Sequence, residues 1–529
     1  MGSKGLMVKA VTGLRATVRT SGGTRRSRAR TPSATVQKSQ GRDLTAAPIP
    51  RSTSPIARIC RSPCRSDYRG RPAQGARPSS LKLPLGAERG PIALLYPGLE
   101  TVHPMKEGLH MAAEVSRRDF LSRLGVTVGA AATAAAAPLV GGPTLIGRAE
   151  AQPKGNIPDT PFKVGHMTFF SGPGAVLGEP SYKGHMLAAD EINAQGGLLG
   201  KRKIETIKAD EAAGTDACVK EMRRMKLSEK VDVFTGVISS GTTPALGPEA
   251  ESLKLLTIFV DGCTDFLFDK VVPNPHYIFR ITNMQSADGV TAAVATAMTW
   301  PKTRRIAHIH PDYTYGRNAF AHFNIVMKKM VPGAQVVSEG WPKLFSTDFT
   351  SHITKAIAAK PDLLVSSVWG GDYVAMYKQA LRYDMFKKMK FTSTIAFGVA
   401  PHAIGKDHPE GAIAGVHSNY YFNYPPQDRW TLNSSFVKKY FDRWKEYPNF
   451  QAEGAYTTLM LLKQTIEKAN KLMGGWPDDE ALISLLEGAS ISGPAGYIHI
   501  RPDNHQGYKD AMTGFSMNSP DYPFQILDP

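Results

Sequence analysis

Two clusters of small hydroxyl residues carry the best-placed chemistry in this chain. Ser239-Ser240-Gly241-Thr242-Thr243-Pro244 follows an apolar run and precedes a stretch of helical period. Its hydroxyls and free backbone N–H groups would meet at a helix N-terminus, a place that suits an anion. Gly262-Cys263-Thr264-Asp265 follows the next apolar run and stands beside the first cluster if the two runs are neighbouring strands. Helix capping accounts for either cluster alone; together they read as a cradle for a carboxylate. Gly172-Pro173-Gly174-Ala175-Val176-Leu177-Gly178 also follows a strand-like run. Its last glycine falls one place late for G-x-G-x-x-G, and no G-K-[ST] is present, so it reads as a tight turn whose N–H groups can face a ligand rather than as a nucleotide loop. His308 and His310 alternate on one strand face and read as satisfied histidines rather than a metal pair. Residues 153–529 hold no H-E-x-x-H, no G-x-S-x-G and no closely spaced Cys/His set. No catalytic residue, metal or cofactor is therefore assigned, and binding is the leading expectation.

These residues must be held by βα units. From Phe162 onward, short apolar runs alternate with amphipathic stretches, the pattern of a parallel sheet flanked by helices. Strands are expected at 162–170, 203–209, 231–237 and 255–260, with helices at 182–195, 216–226 and 243–253. After a piece at 279–282, a second set follows, with strands at 305–310, 335–340, 363–368 and 391–395 and helices at 288–298, 316–330, 350–359 and 372–383. A tail adds helices at 453–471 and 479–487 and strands at 496–500 and 511–517. Two α/β lobes in series are the simplest inference. Asn193-Ala194-Gln195-Gly196-Gly197-Leu198-Leu199-Gly200 ends the first helix on glycines able to take positive φ.

Residues 116–152 read as an export signal: Ser116-Arg117-Arg118-Asp119-Phe120-Leu121, an Ala/Gly-rich apolar run, then Ala149-Glu150-Ala151 as a small-x-small cleavage pattern. The Arg117-Arg118 pair resembles a twin-arginine signal, and the run is shorter than the ~20 apolar residues of a spanning helix. Cleavage after Ala151 would leave a chain starting at Gln152. Residues 1–110 hold 20 Lys or Arg against 5 Asp or Glu and read as a disordered basic leader. Translation from Met111 would leave it out of the native protein. The chain's formal +18 sits mostly there, because residues 153–529 hold 40 basic and 38 acidic side chains. The basic balance is thus no nucleic-acid footprint, and no nucleic-acid partner is expected. Cys60 and Cys64 lack a second ligand pair, so no zinc site is assigned to them. Cys218 and Cys263 remain after cleavage, and either one bridge between them or two buried thiols fits an oxidising compartment.

With these landmarks in order, the chain resembles the branched-chain amino-acid binding proteins, the extracytoplasmic solute receptors of ABC importers with the type I periplasmic binding-protein fold. The resemblance covers 160–529. It rests on Ser171-Gly172-Pro173 with Gly178, Lys183-Gly184, Ala188-Ala189-Asp190-Glu191-Ile192-Asn193, the 239–244 cluster, Asp312-Tyr313-Thr314-Tyr315-Gly316 and Gly493-Pro494. It implies two Rossmann-like lobes joined by a three-crossover hinge, with the ligand in the cleft between them. Lobe 1 would comprise 152–281 and 419–494, lobe 2 282–418 and 495–529, with crossovers near 279–282, 416–420 and 492–496. It implies that Ser239 or Ser240 and Thr264 hold a ligand carboxylate, that Gly262 offers a carbonyl, that Tyr315 and Asp372 contact the ligand and that Leu177 lines the pocket. Family members that bind amino acids place an acidic residue where this chain reads Thr394-Ile395-Ala396-Phe397-Gly398. Either Asp372 then pairs with the ammonium, or the ligand has none. Phe169, Phe170, Trp369, Phe397, Tyr420 and Tyr421 fall near strand ends or crossovers and would suit an aromatic or aliphatic acid, unless they pack the core. The implied partners are a small carboxylate ligand, the membrane subunits of an ABC permease and the twin-arginine export machinery, with the protein in the periplasm. A periplasmic sensing module on the same fold is the alternative, and an exported oxidoreductase a more distant one.

Overall fold

The structure, a computed structural model, describes residues 156–399 and 403–529. The leader at 1–110 and the signal at 111–151, with Arg117 and Arg118, lie outside the described residues. Among the described residues no helix is long and apolar enough to cross a membrane.

The first lobe is built from β1 Phe162–Thr168, α1 Ala175–Ala194, β2 Ile204–Asp210, α2 Thr215–Leu227, β3 Val233–Gly236, α3 Thr243–Ser252, β4 Thr257–Phe259 and β5 Ile278–Arg280. Its sheet is parallel, in the order β2-β1-β3-β4-β5. β1, β3 and β4 are buried almost throughout because helices cover both faces, which is why they read as unbroken apolar runs. The second lobe follows with α4 Ser286–Thr299, β6 Arg305–Ile309, α5 Thr314–Met330, β7 Gln335–Gly340, α6 Thr350–Ala358, β8 Leu363–Ser366, α7 Gly370–Arg382, α8 Met385–Lys388, β9 Lys390–Ser393 and β10 Ile413–Val416. The chain then returns to lobe 1 as α9 Thr431–Trp444, α10 Phe450–Met473, α11 Asp479–Leu486, and the antiparallel strands β11 Ser490–Gly493, β12 Gly496–Ile500 and β13 Gly507–Tyr508. It ends in lobe 2 as β14 Met512–Met517 and β15 Ile526–Asp528, giving that sheet the order β15-β14-β10-β9-β8-β6-β7.

The third crossing differs from the expectation at 492–496. Ile491, Ile498 and Ile500 are buried in the apolar cluster of lobe 1, against Leu459, Leu462 and Ile466 of α10 and Leu482 of α11. The hairpin therefore belongs to lobe 1, and the chain recrosses between Tyr508 and Met512. There Lys509 N–H donates to Asn283 Oδ1 at 3.0 Å, Asn283 Nδ2 donates to the Asp510 carbonyl at 2.9 Å, and Met512 N–H donates to the Ser418 carbonyl at 3.3 Å. The three crossing segments are thus bonded to one another, with Lys509 Nζ 3.4 Å from buried Glu453 of α10.

Local chemistry explains the frame. Asn449 Oδ1 accepts from the N–H groups of Gln451 and Ala452 and starts α10; Asp478 Oδ1 accepts from Ala481 N–H and starts α11. Gly197, at φ +87°, leaves room for the Arg202 carbonyl, which an added Cβ would meet at 2.3 Å. Cys218 and Cys263 are both free and buried in the structure. Cys218 lies on the buried face of α2 with Met222, packed near Ala209 of β2, whereas Cys263 belongs to the cluster that runs across the cleft.

Candidate ligand-binding cleft

Each lobe has its switch point where the strand order reverses, between β1 and β3 and between β6 and β8. In open α/β sheets a crevice for ligands forms beyond the carboxyl ends of the strands at that point. The two crevices face each other across one cavity. Lobe 1 lines it with Leu177, Ile238, Ser240, Asp261 and Cys263; lobe 2 and the crossover line it with Tyr313, Tyr315, Trp369, Ile395 and His417. About 20 Å³ is open to the centre of a water-sized sphere, room for a water or two. The wall from lobe 2 is aromatic: the Trp369 indole N–H donates to Tyr313 Oη at 2.8 Å, and the Tyr313 and Tyr315 ring centres lie 6.3 Å apart.

The polar end is a charge cluster drawn from three distant stretches. His417, at the second crossover, has Nδ1 2.9 Å from Asp288 Oδ2 on α4 and Nε2 3.2 Å from Asp261 Oδ1 beyond β4. Thr282 Oγ1 lies 3.0 Å from the same Nε2. Tyr315 Oη donates to Asp288 Oδ2 at 2.9 Å. Burial opposes charge on His417, yet Asp288 and Asp261 hold its pKa well above the usual imidazole value. Burial pushes the Cys263 thiol up to about 11. A lobe 1 carboxylate and a lobe 2 carboxylate therefore meet on one imidazole at the hinge.

Of the residues expected in the site, Leu177, Ser240, Tyr315 and Trp369 line the cavity. Ser239 lies beside it, with its Oγ accepting from Gly241 N–H at 3.1 Å. The Ser239 N–H, expected with its cluster to face a ligand anion, donates instead to buried Glu211 at 2.9 Å, as does the neighbouring Ile238 N–H at 2.8 Å. Burial, against those two N–H donors, raises the Glu211 carboxyl to about 7. The Gly262 carbonyl is also taken, by Arg280 Nη1 at 2.8 Å and Thr243 Oγ1 at 2.9 Å, and Thr264 Oγ1 accepts from Phe266 N–H. Asp372 turns away from the cavity: its Oδ2 accepts from Phe345 N–H at 2.7 Å. Phe170 packs on Tyr182, and Phe397 on His408 and Tyr421 inside lobe 2. Phe170 N–H and Ser171 Oγ donate to Asp210 at 3.0 and 2.7 Å, so a side-chain carboxylate occupies the glycine turn. His308 and His310 are buried and bond each other at 2.9 Å, with His310 Nδ1 2.7 Å from Ser367 Oγ. Ile238, Asp261, Cys263, Tyr313, Ile395 and His417 were not assigned to the site from sequence. Asp261 and Cys263 flank Gly262 and could have been included with it, but nothing near His417 marks it.

Residues 161–518 match the family described as periplasmic binding protein, and the chain belongs to that family. A Leu/Ile/Val-binding protein homolog 7 from Brucella melitensis is 25% identical over 366 residues, covering 66% of this chain and 88% of that protein; its counterpart in Brucella abortus is 28% identical over the same shares. Among solved structures, an ABC transporter solute-binding protein from Rhodopseudomonas palustris BisB5 in complex with 3,4-dihydroxybenzoic acid superposes with a TM-score of 0.61 at 22% identity, covering 70% of this chain and 97% of that one. One from R. palustris in complex with benzoate gives 0.58 at 20%, covering 69% and 96%. At these identities the structures speak for the fold, two α/β lobes about a cleft.

Proposed function

We propose that this chain is the solute receptor of an ABC importer, working in the periplasm, and that its solute is a small monocarboxylic acid with a flat apolar body, an aromatic acid ahead of an amino acid. The observation that carries the solute class is the cavity between the lobes, with Tyr313, Tyr315 and Trp369 on one wall and Leu177, Ile238 and Ile395 completing the apolar part of its lining. Such a lining favours a ring, while a few convergent polar groups fix its orientation. Asp372, the alternative partner for an ammonium, is bonded to the backbone of the neighbouring loop, which removes one reason to expect an amino group. The ligands of two solved relatives, 3,4-dihydroxybenzoic acid and benzoate, agree with an aromatic acid, whereas the sequence relatives are Leu/Ile/Val-binding homologues. Ser240 is the hydroxyl best placed to meet the solute. In this proposal the Arg117-Arg118 signal exports the folded chain, and the closed lobes dock on a membrane permease.

One experiment addresses both parts. The protein is recovered from the periplasm, its first residue is read, and its melting temperature is followed with benzoate, hydroxybenzoates, aliphatic acids, and branched-chain and aromatic amino acids. The expected result is Gln152 at the N-terminus and stabilisation by amine-free aromatic acids, roughly 2.7 kcal/mol at 100 times the dissociation constant. Stabilisation by branched-chain amino acids alone would sink the aromatic-acid reading and hand the ammonium to Asp261.

A further inference from the structure

The polar end of the cavity combines three donor types that seldom converge without a purpose. Asp261 and Cys263 stand two residues apart on the loop after β4, and His417 reaches them from the second crossover; one carboxylate oxygen, the Sγ and one ring nitrogen all lie within 4.8 Å of one another, and all three residues are buried. Asp288 holds His417 Nδ1 at 2.9 Å. A carboxylate behind a ligating histidine fixes the ring and directs its other nitrogen, the usual support of a histidine on a metal. That other nitrogen, Nε2, faces Asp261 Oδ1 at 3.2 Å. Asp261 is 5% exposed; its Oδ1 meets this imidazole, and its Oδ2 accepts from Gln451 Nε2. Asp288 shares the same imidazole, so two buried carboxylates stand against one ring, an excess of negative charge that a bound divalent cation would offset.

We infer that this end of the cavity is a site for a divalent transition-metal ion, zinc by its donor set, held by Asp261 Oδ1, Cys263 Sγ and His417 Nε2. Thiolate, imidazole and carboxylate together suit zinc, and three protein ligands with an open fourth position are the pattern of a site that takes an exchangeable group. Bonds of about 2.0–2.3 Å would require the three atoms to draw together only modestly. All three ligands line the cavity, together with Ser240 and Tyr315, so an open fourth position would be available to what the cavity holds. On binding, the Cys263 thiol and the His417 Nε2 each give up a proton to solvent, so that the thiolate and the ring nitrogen present lone pairs to the ion while Nδ1–H stays on Asp288. A second argument rests on the anionic-solute reading above: two carboxylates against one imidazole would repel a carboxylate solute, and a divalent cation among them reverses that field. The donor geometry stands without that argument.

The test uses the metal alone, with no solute present. The full chain, free of tags and with Cys60 and Cys64 replaced by Ser, is reduced, stripped with a chelator and titrated with Co²⁺. The expected result is saturation at one ion per chain, with a thiolate-to-cobalt charge-transfer band in the near ultraviolet, tetrahedral bands in the visible, and loss of all of them on adding zinc. Cys263→Ser should abolish the charge-transfer band, and Asp261→Asn should weaken binding at least tenfold. Cys218→Ser, which removes the other buried thiol, should change neither. Circular dichroism melts show that each variant is folded. No saturable band, or a band that survives Cys263→Ser or disappears with Cys218→Ser, overturns the site. Failure here would leave the aromatic-acid reading intact, and failure of the solute screen would leave the cobalt result standing.

Discussion

At the scale of single residues, the chain shows how a carboxylate's role depends on what else can reach it. The resemblance placed Asp372, after the Gly370-Gly371 turn, in contact with the ligand, and made it the ammonium's partner if the ligand has one. Instead it spans to the loop before α6, where its Oδ2 accepts from Phe345 N–H while Oδ1 has no hydrogen-bond partner among the described residues. Burial, working against that N–H donor, raises its carboxyl from 3.8 to about 6. A raised carboxyl means that the folded chain holds a proton the unfolded chain has released between those two values. The charge therefore costs nothing below pH 3.8, its cost grows as pH rises, and it is complete above about pH 6. Asp372→Asn keeps the acceptor and removes the charge, although it leaves an amide N–H where Oδ1 stood. The variant should gain on the wild type as pH rises through that window, by on the order of 1 kcal/mol above it. Melting temperatures measured from pH 4 to pH 8 check this; a gain independent of pH would mean that the charge is not the cause. Such residue-level detail was not legible in the sequence. Asp261, Asp288 and His417 are far apart in the chain, and no spacing rule joins residues that only the crossovers bring together.

At the scale of elements, the sequence was legible wherever burial imposes a period. β7 and β12 fall where their patterns placed them, and most other strands and helices shift by a few residues at their ends. The larger departures have identifiable causes. α1 begins at Ala175, well before the expected 182, and continues through Pro180. Gly174 and Gly178 explain the early start: a Cβ on Gly174 would meet the Phe169 ring at 2.5 Å, and one on Gly178 would meet the Phe169 carbonyl at 1.8 Å. These glycines let the first turns of the helix lie on the end of β1, so they serve close packing more than a loop. α9 was missed because its apolar face is made of aromatics, with Phe436 and Tyr440 buried, spaced among lysines that dilute the period. The Lys183-Gly184 landmark likewise has a packing origin. An added Cβ at Gly184 would lie 2.0 Å from the Ala452 carbonyl on α10, and backbone cannot move aside as a side chain can. Gly184→Ala should therefore force α1 and α10 apart and destabilise lobe 1 by about 1–3 kcal/mol or more, outweighing the helix propensity gained over glycine. Urea denaturation read by circular dichroism measures it, and an unchanged midpoint would show that the helices separate without cost.

At the scale of the whole molecule, function depends on contacts that exist only when the lobes meet. A cavity with room for a water or two admits an aromatic acid only if the lobes part and close again around it. Among the described residues, several contacts reach across the cleft away from the hinge, three of them around Phe169 and Pro173. Gly371 N–H, at the start of α7, donates to the Pro173 carbonyl at 2.8 Å. Phe169 of lobe 1 meets Phe345 edge to face with ring centres 5.7 Å apart, and lies 6.3 Å from the Trp369 ring. Phe169 is 3% exposed, and parting the lobes would wet its ring. A closed-only contact shifts the balance between open and closed forms by its differential free energy and no more. Aromatic pairs contribute about 0.5–1.5 kcal/mol beyond the area they bury. Phe169→Ala should thus favour the open form in the absence of solute and weaken solute affinity about tenfold, because part of the binding energy then goes to closing the lobes. Small-angle scattering of the solute-free chain should report a larger radius of gyration, returning to the wild-type value at saturation. Weaker binding with no change in the solute-free radius would instead make Phe169 a wall of the pocket and leave closure to the hinge, where Asp261 and Asp288 meet on His417.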